Sequence, residues 1–113
     1  MKKNDWKISA KFELEQAEAA RKLRNEGKAR VCARRAAGHI VYAYLRDRYG
    51  YSGSMNAYNN IQYLTSLSMV PLKIRKVALL FLMRVTTNHN LPIDVDLIKE
   101  ARWLAKELMG EEI

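Results

Sequence analysis

Two histidines, each with an arginine five positions before it, are the residues of this chain best suited to chemistry. Arg34 precedes His39, and Arg84 precedes His89. An imidazole can act as a general base or acid near neutral pH, and a guanidinium beside it can hold a phosphate or stabilise developing negative charge. Such a pair suits metal-independent cleavage of RNA, in which the ribose 2′-hydroxyl is the internal nucleophile.

Helix geometry separates the two pairs. Inside one continuous helix, five positions correspond to a rotation of about 140°, so Arg34 and His39 would point apart, whereas Arg35 and His39 would be neighbours. His39 is therefore interpreted first as a residue of a helix contact and second as a site residue. Arg84 ends an apolar stretch and His89 follows in a polar break, where the chain can bend. Arg84 and His89 are the predicted catalytic pair. The alternative is an arginine that covers the last carbonyls of its helix, followed by an exposed loop histidine.

Positive charge is concentrated in the first half of the chain. The formal net charge is +8, and residues 21–48 contain nine basic residues against Glu26 and Asp47. A cationic surface of this kind attracts a polyanion, commonly a nucleic acid. A solvated helix surface, or a face for an acidic partner protein, is the alternative. The residues predicted to bind a nucleic acid or another anion are Arg30, Arg34, Arg35, Arg46 and Arg48.

Other patterns of catalysis or cofactor binding are weak in this sequence. The lone Cys32 has no Cys or His at ligand spacing, so it is interpreted as a small buried apolar residue. The glycines at 50 and 53 do not lie between a strand and a helix, as those of a phosphate-binding loop would. Six tyrosines surround these glycines and are interpreted as residues at the edge of a bundle. Neither a metal site nor a cofactor is predicted.

Hydrophobic periodicity predicts helices over residues 8–25, 28–49, 56–68, 72–86 and from Asp94 or Asp96 to 109. The third is weak because it is rich in asparagine. In the first helix, the predicted inward stripe consists of Phe12, Ala19, Ala20 and Leu23. Small residues form one face of the second: Ala29, Ala33, Ala36, Ala37 and Gly38. The fourth is apolar all round between Val77 and Met83, so a central position is predicted for it.

These elements predict an all-α fold, an up-and-down bundle of four main helices plus a short, weaker helix. The length of 113 residues suits one domain, and 49% of the residues are hydrophobic. No apolar run approaches the roughly 20 residues that a bilayer requires, so a cytoplasmic protein that does not associate with membranes is expected. The small-residue face and the apolar fourth helix exceed what four helices cover, which predicts a homodimer.

The order of these features resembles the HEPN family of small α-helical domains. The resemblance spans residues 12–109 and rests on FELEQAEAARKL, the turn Asn25-Glu26-Gly27, CARRAAGHIVYAYL and DLIKEARWLAKEL. It implies one HEPN-like domain over residues 1–113, an up-and-down bundle and often a homodimer. In one branch it implies a metal-independent ribonuclease whose arginine is followed four to six residues later by histidine. Arg84 and His89 match that spacing, but Val85 replaces a polar residue and His89 stands just before Asn90-Leu91-Pro92 instead of inside a helix.

The expected function is that of a basic, HEPN-like module, non-catalytic, that binds a nucleotide, RNA or a protein partner. One alternative is a toxin-type, metal-independent ribonuclease that uses Arg84 and His89. A purely structural interaction protein is the other. The resemblance also implies that a separately encoded nucleotidyltransferase-type protein can be the partner.

Overall fold

The computed structural model describes residues 5–53, 56–84 and 95–113, and every regular element in those ranges is a helix. The helices are α1 (Asp5–Lys22), α2 (Glu26–Tyr49), α3 (Ala57–Thr65), α4 (Leu72–Leu80) and α5 (Leu97–Met109). The predicted all-α class is therefore confirmed. Within the same ranges, no helix combines the length and the apolar character needed to cross a bilayer.

Helix α2 is the central element, because α1, α3 and α5 all pack against it. The predicted small-residue face is confirmed. Ala33, Ala36 and Ala37 are completely buried, and Cys32 is buried beside them. Short side chains bring helix axes close together, so one helix can serve three neighbours. Because this face is covered by helices of the same chain, it is not available for the contact with a second copy that the sequence predicted.

Gly38 is the point of closest approach between α2 and α3. A Cβ atom on Gly38 would lie 2.4 Å from the Cβ of Ala57 and 2.8 Å from its Cα. Ala57 is the first residue of α3, and the Asn56 side chain caps this helix by accepting a hydrogen bond from Asn59 N at 3.3 Å. The start of α3 can therefore rest on α2 only because residue 38 lacks a side chain.

The turn before α2 differs from the prediction. Asn25 is the N-cap, and its side chain accepts a hydrogen bond from Lys28 N at 3.1 Å. The helix therefore begins at Glu26, which places Gly27 in its first turn. Arg24, with φ 60°, takes the left-handed conformation that was expected at Gly27.

The predicted inward stripe of α1 was wrong in most of its members. Phe12 is 58% exposed and Leu23 is 82% exposed. Ala20 alone of the predicted set is buried, together with Trp6, Ala10, Leu14 and Ala17. This buried seam combines three alanines with the larger Trp6 and Leu14, and α1 packs mainly against α2. The helix also begins at Asp5, earlier than predicted, and includes Trp6.

Helix α4 is short and peripheral, which corrects its predicted central position. It ends at Leu80 instead of near Thr86, a residue outside the described ranges. Within it, Ala78 is the one buried residue, and Leu72 and Leu79 are at least half exposed. After Leu80, Phe81 N and Leu82 N donate hydrogen bonds to the carbonyl oxygens three residues earlier, which is a tighter turn than that of an α-helix. The Phe81 side chain that follows is completely buried in the core.

Ion pairs at both ends place α5 beside α1 in the opposite direction. Lys7 Nζ lies 3.0 Å from Glu111 Oε1, and Arg21 Nη1 lies 3.1 Å from Asp96 Oδ1. Asp96 is also the N-cap of α5, and its side chain accepts hydrogen bonds from Ile98 N and Lys99 N. The sequence predicted that either Asp94 or Asp96 would take this position. Burial raises the pKa of Asp96, but those hydrogen bonds and the Arg21 guanidinium outweigh it and hold the pKa below its usual value. Asp94 lies outside the described residues.

We predict that Gly38→Ala destabilises the fold, because the added methyl group would meet the backbone of Ala57. Overpacking of this kind costs about 1–3 kcal/mol, of which better helix propensity returns up to about 1 kcal/mol. Gly27→Ala is the matched control in the same helix, since its Cβ would meet nothing closer than Asn25 Oδ1 at 3.8 Å. Urea unfolding of both variants is the measurement. Equal or higher stability for Gly38→Ala would contradict the close approach.

Candidate ligand-binding groove

A groove of about 720 Å³ lies between α1, α2 and the start of α3. Helix α1 contributes one wall, α2 contributes the floor, and the loop after α2 with the first residues of α3 closes the far side. The lining side chains that matter for chemistry are charged, aromatic or amide groups: Asp5, Glu13, Arg34, Arg35, His39, Tyr42, Asn56 and Tyr58. A groove of this size and mixed lining is typical of a small-molecule site.

The floor of the groove follows one face of α2. Val31, Arg35, Gly38 and Tyr42 recur three or four positions apart and so share that face. His39 stands at one edge of the face, next to Arg35 as the sequence predicted. Because α2 is one continuous helix, Arg34 falls on the opposite edge, about 140° from His39. Arg34 and His39 therefore do not form a side-by-side pair.

His39 is half-buried in the groove and faces α1. Its burial lowers the pKa of the imidazole, and the nearby carboxylate of Glu13 opposes that shift without cancelling it. The ring is therefore neutral at pH 7, with one nitrogen that donates a hydrogen bond and one that accepts. Such a ring can bind a ligand in either role and can accept a proton.

The two adjacent arginines on α2 have different surroundings. Arg34 Nε donates a hydrogen bond of 2.8 Å to the carbonyl oxygen of Phe81, at the end of α4. Arg34 is thereby held in place by the backbone. Arg35 is exposed and makes no hydrogen bond or ion pair with another described residue. Arg35 is consequently the guanidinium in the groove that is available to an anionic ligand.

The far side of the groove is built on Tyr42 and a glycine. Gly53 has φ 70°, and a Cβ atom there would lie 2.4 Å from the Tyr42 ring, so the loop can press on this ring only through a glycine. Tyr51 continues the packing: its hydroxyl donates a hydrogen bond to Asn60 Oδ1 at 3.1 Å, and its ring stacks on Tyr63 with centroids 4.5 Å apart. Tyr51 also meets Tyr42 edge-on, with ring centroids 6.4 Å apart, so the Tyr42 ring is packed from the side of the loop.

The other predicted anion-binding arginines lie outside the groove. Arg46 forms an ion pair with Asp47 at 3.0 Å and stands 5.8 Å from the centre of the Tyr42 ring. Arg48 lies 5.6 Å over the ring of Tyr44. Arg30 is half-buried and has an interaction partner. At about 100° per residue, Arg30, Arg34 and Arg48 share one side of α2, and Arg35 and Arg46 share another. The five arginines therefore do not form one continuous basic stripe.

The predicted catalytic pair is placed only in part. Arg84 is exposed in the segment after α4, and His89 lies outside the described residues. In residues 5–53, 56–84 and 95–113, no group of three or more His, Cys, Asp or Glu side chains is arranged to hold a metal ion. The pairing of Arg84 with His89 stays a prediction.

Several groove residues carry no clear signal in the sequence. Glu13 belongs to α1, and its place opposite His39 depends on how α1 and α2 are offset. The sequence does contain a signal for Tyr42, because this residue lies seven positions after Arg35 and thus on the same helix face.

Comparisons with models of protein families, with curated protein sequences and with solved structures find no match. Function is accordingly inferred from the groove residues themselves.

We predict that His39 titrates below 6.5, the ordinary value for its imidazole, because burial disfavours the charged ring. Glu13→Gln should lower that pKa further, since it removes the one charge that favours the imidazolium. The unfolded chain then binds a proton more readily than the folded chain, so this group destabilises the fold as the pH falls below about 6.5.

The measurement is an NMR pH titration of the His39 ring proton, with His89→Gln used to assign the two histidine signals. A pKa above 6.5, or a pKa that rises in Glu13→Gln, would contradict the description of the groove.

Proposed function

We propose that this chain is a HEPN-like, non-catalytic module whose groove binds one nucleotide unit, either free or within single-stranded RNA. One observation carries the proposal. The groove combines a guanidinium without a protein partner among the described residues, Arg35, with the neutral ring of His39 and the aromatic rings of Tyr42 and Tyr58. Phosphate and nucleobase are the two groups that this combination suits.

Arg35 is the expected phosphate-binding residue. Its planar guanidinium can donate two parallel hydrogen bonds to a phosphate, and within residues 5–53, 56–84 and 95–113 it has no ion pair to give up. His39, four positions later and on the same side of the helix, can donate a further hydrogen bond. Arg34 adds positive charge from the opposite edge of the floor while it stays bound to Phe81.

The tyrosines and the acidic wall suit the remainder of a nucleotide. Stacking of a base on an aromatic ring contributes about 1–3 kcal/mol and is independent of base identity. Asp5 and Glu13 line the α1 side and can accept hydrogen bonds from ribose hydroxyls or from an exocyclic amino group. Because two carboxylates balance Arg34 and Arg35, the groove favours one phosphate over a highly charged triphosphate.

Kinship with the HEPN family and the up-and-down order of the helices belong to the same proposal. In support, the end of α1 meets the start of α2 through the Arg21–Glu26 ion pair, so these helices run in opposite directions. The ion pairs of α5 with α1 give α5 the direction of α2. Parallel second and last helices are what an up-and-down bundle of four requires, provided that one helix between them runs the other way.

Cleavage of RNA is the second candidate function, and one contact favours it. Arg34, a groove residue, binds the carbonyl of Phe81, and Arg84 follows Phe81 by three positions. Arg84 therefore lies within about 11 Å of Phe81, close to the nucleotide-binding groove. An RNA strand held there could reach Arg84 and His89.

We predict that Arg35→Gln weakens binding about 10- to 100-fold, because a hydrogen bond to a charged group contributes about 1.5–3 kcal/mol. The readouts are fluorescence anisotropy with a short single-stranded RNA and calorimetry with a nucleoside monophosphate. The slope of log affinity against log salt should decrease by about 1 in the variant, since one phosphate contact is lost. If the chain binds the RNA but does not bind the monophosphate, the ligand is RNA and not a free nucleotide.

Arg48→Gln is the matched control for this change, because it removes the same charge from the same helix at a residue that does not line the groove. It should change affinity by less than about twofold. Equal losses in both variants would show that binding depends on net charge and not on the groove. Absence of binding at low salt would leave the purely structural interaction protein.

For the second candidate function, we predict that Arg84→Ala and His89→Ala each abolish cleavage of single-stranded RNA while leaving the circular dichroism spectrum unchanged. Arg84 is exposed, so its truncation should not disturb the core. Cleavage by both variants at the rate of the unmodified chain would exclude this pair from catalysis. Cleavage is measured with metal chelated, so that a contaminating metal-dependent nuclease is silent.

A further inference from the structure

Two basic side chains of α2 have no partner among the described residues, and they share one face of the helix. Lys28 and Arg35 are exposed, and neither side chain makes a hydrogen bond, an ion pair or a ring contact within residues 5–53, 56–84 and 95–113. Residues seven positions apart lie about 20° from each other around the axis and about 10.5 Å apart along it. The remaining basic residues of α2 are engaged with neighbouring groups, namely Arg30, Arg34, Arg46 and Arg48.

The positive charge of Lys28 is not offset by the acidic residues nearest to it. Glu26, two positions earlier, accepts hydrogen bonds of 2.8 and 3.4 Å from Arg21. Glu18, near the end of α1, lies 2.9 Å from Arg102 Nη2. Lys28 also stands in the first turn of α2, where the helix dipole disfavours a cation, so helix stability does not account for a lysine there. An anion that approaches the start of α2 therefore meets a charge that no described carboxylate neutralises.

Val31 connects Lys28 with the groove. It is 44% exposed and lines the groove together with Arg35. Positions 28, 31 and 35 stay within about 60° of one another around the helix axis. A strip of exposed surface thus runs from the groove to the start of α2, cationic at both ends and apolar between them. Proteins that bind single strands combine cations along the backbone with apolar or aromatic surface for the bases in this way.

We infer that Lys28 forms a second phosphate site, so that the groove binds a single strand of at least two nucleotides that runs from Arg35 toward the turn between α1 and α2. The inference rests on the proposed function, because Arg35 holds the first phosphate. Two cations about 10.5 Å apart suit successive phosphates of one strand better than the single phosphate of a free nucleotide. Lys28 acts as a point charge, whereas the guanidinium of Arg35 orients the phosphate that it binds.

The other end of the groove offers no comparable pair of cations. Beyond Tyr42 along α2, Arg46 forms an ion pair with Asp47, and Arg48 lies over the ring of Tyr44. The loop that contains Gly53 packs directly against the Tyr42 ring at this end. A strand whose phosphate is bound by Arg35 therefore leaves the groove along Val31 and Lys28.

A series of ligand lengths tests the second phosphate site. The probes are uridine 5′-monophosphate and 5′-phosphorylated oligouridylates of two to four nucleotides, measured by calorimetry at low salt. Affinity should rise about 3- to 5-fold when the second phosphate is added, and the slope of log affinity against log salt should steepen by about 0.7. Equal affinity for the monophosphate and the oligouridylates overturns the second site and leaves the proposed nucleotide site standing.

Lys28→Gln tests which residue holds the added phosphate. The change should weaken binding of the trinucleotide about 3- to 5-fold and binding of the monophosphate by less than about twofold. Lys11→Gln is the matched control, because Lys11 is an exposed lysine without a described partner and lies about 200° around α1 from the groove residue Glu13. It should leave both affinities unchanged. Equal losses in the two variants show dependence on net charge and overturn the inference.

NMR shifts of the backbone amides test the path of the strand. The monophosphate should shift the amides around Arg35 and His39, and the trinucleotide should extend the shifts to Val31 and Lys28. Shifts that the trinucleotide does not extend, or extends toward Arg84 instead, overturn the inference and leave the proposed function. If neither probe shifts an amide at low salt, the proposed function is wrong, and the inference that rests on it is wrong as well.

Discussion

The close contact of small residues along α2 is the constraint on which the rest of the structure depends. Three helices pack against α2, and most of its buried residues are small, although the larger Ile40, Val41, Tyr44 and Leu45 are buried with them. Gly38 is the extreme case, since α3 begins on its bare backbone at Ala57. A side chain at residue 38 would meet Ala57, so this contact fixes where α3 begins. The far side of the groove depends on the same contact, because Ala57 and Tyr58 line it.

The groove is formed by the same packing. The outward side of α2 carries the larger polar residues, and the walls rise on either side because α1 and α3 approach α2 so closely. Arg34 and Arg35 are adjacent in sequence but differ in role, because a rotation of about 100° directs the first toward the Phe81 carbonyl and the second toward solvent. His39 lies where α1 shields it from water, which favours its neutral form. Packing thus determines both the charge available to a ligand and the protonation of its neighbour.

Helix α1 has two apolar faces and a polar edge between them. Its inner face of small residues, with Trp6 and Leu14, belongs to the core. Its outer face, with Phe12 and Leu23, is also apolar and yet is exposed. The polar edge supplies Glu13 to the groove. One helix can therefore contribute to the core and line the groove, because helical periodicity assigns the two roles to different residues.

The sequence by itself determined the helical class, the small-residue face of α2 and a capping aspartate before α5, either Asp94 or Asp96, because these depend on periodicity and on local hydrogen bonds. It also placed Arg35 beside His39, a relation internal to one helix. Only the tertiary structure decided which stripe of α1 is buried, that α4 ends before Phe81, and that Glu13 faces His39. The physical reason is that α1 has two apolar stripes of similar period, so hydrophobic periodicity alone does not choose between them. The choice depends on which stripe fits the neighbouring helices, and the buried stripe is Trp6, Ala10, Leu14, Ala17 and Ala20.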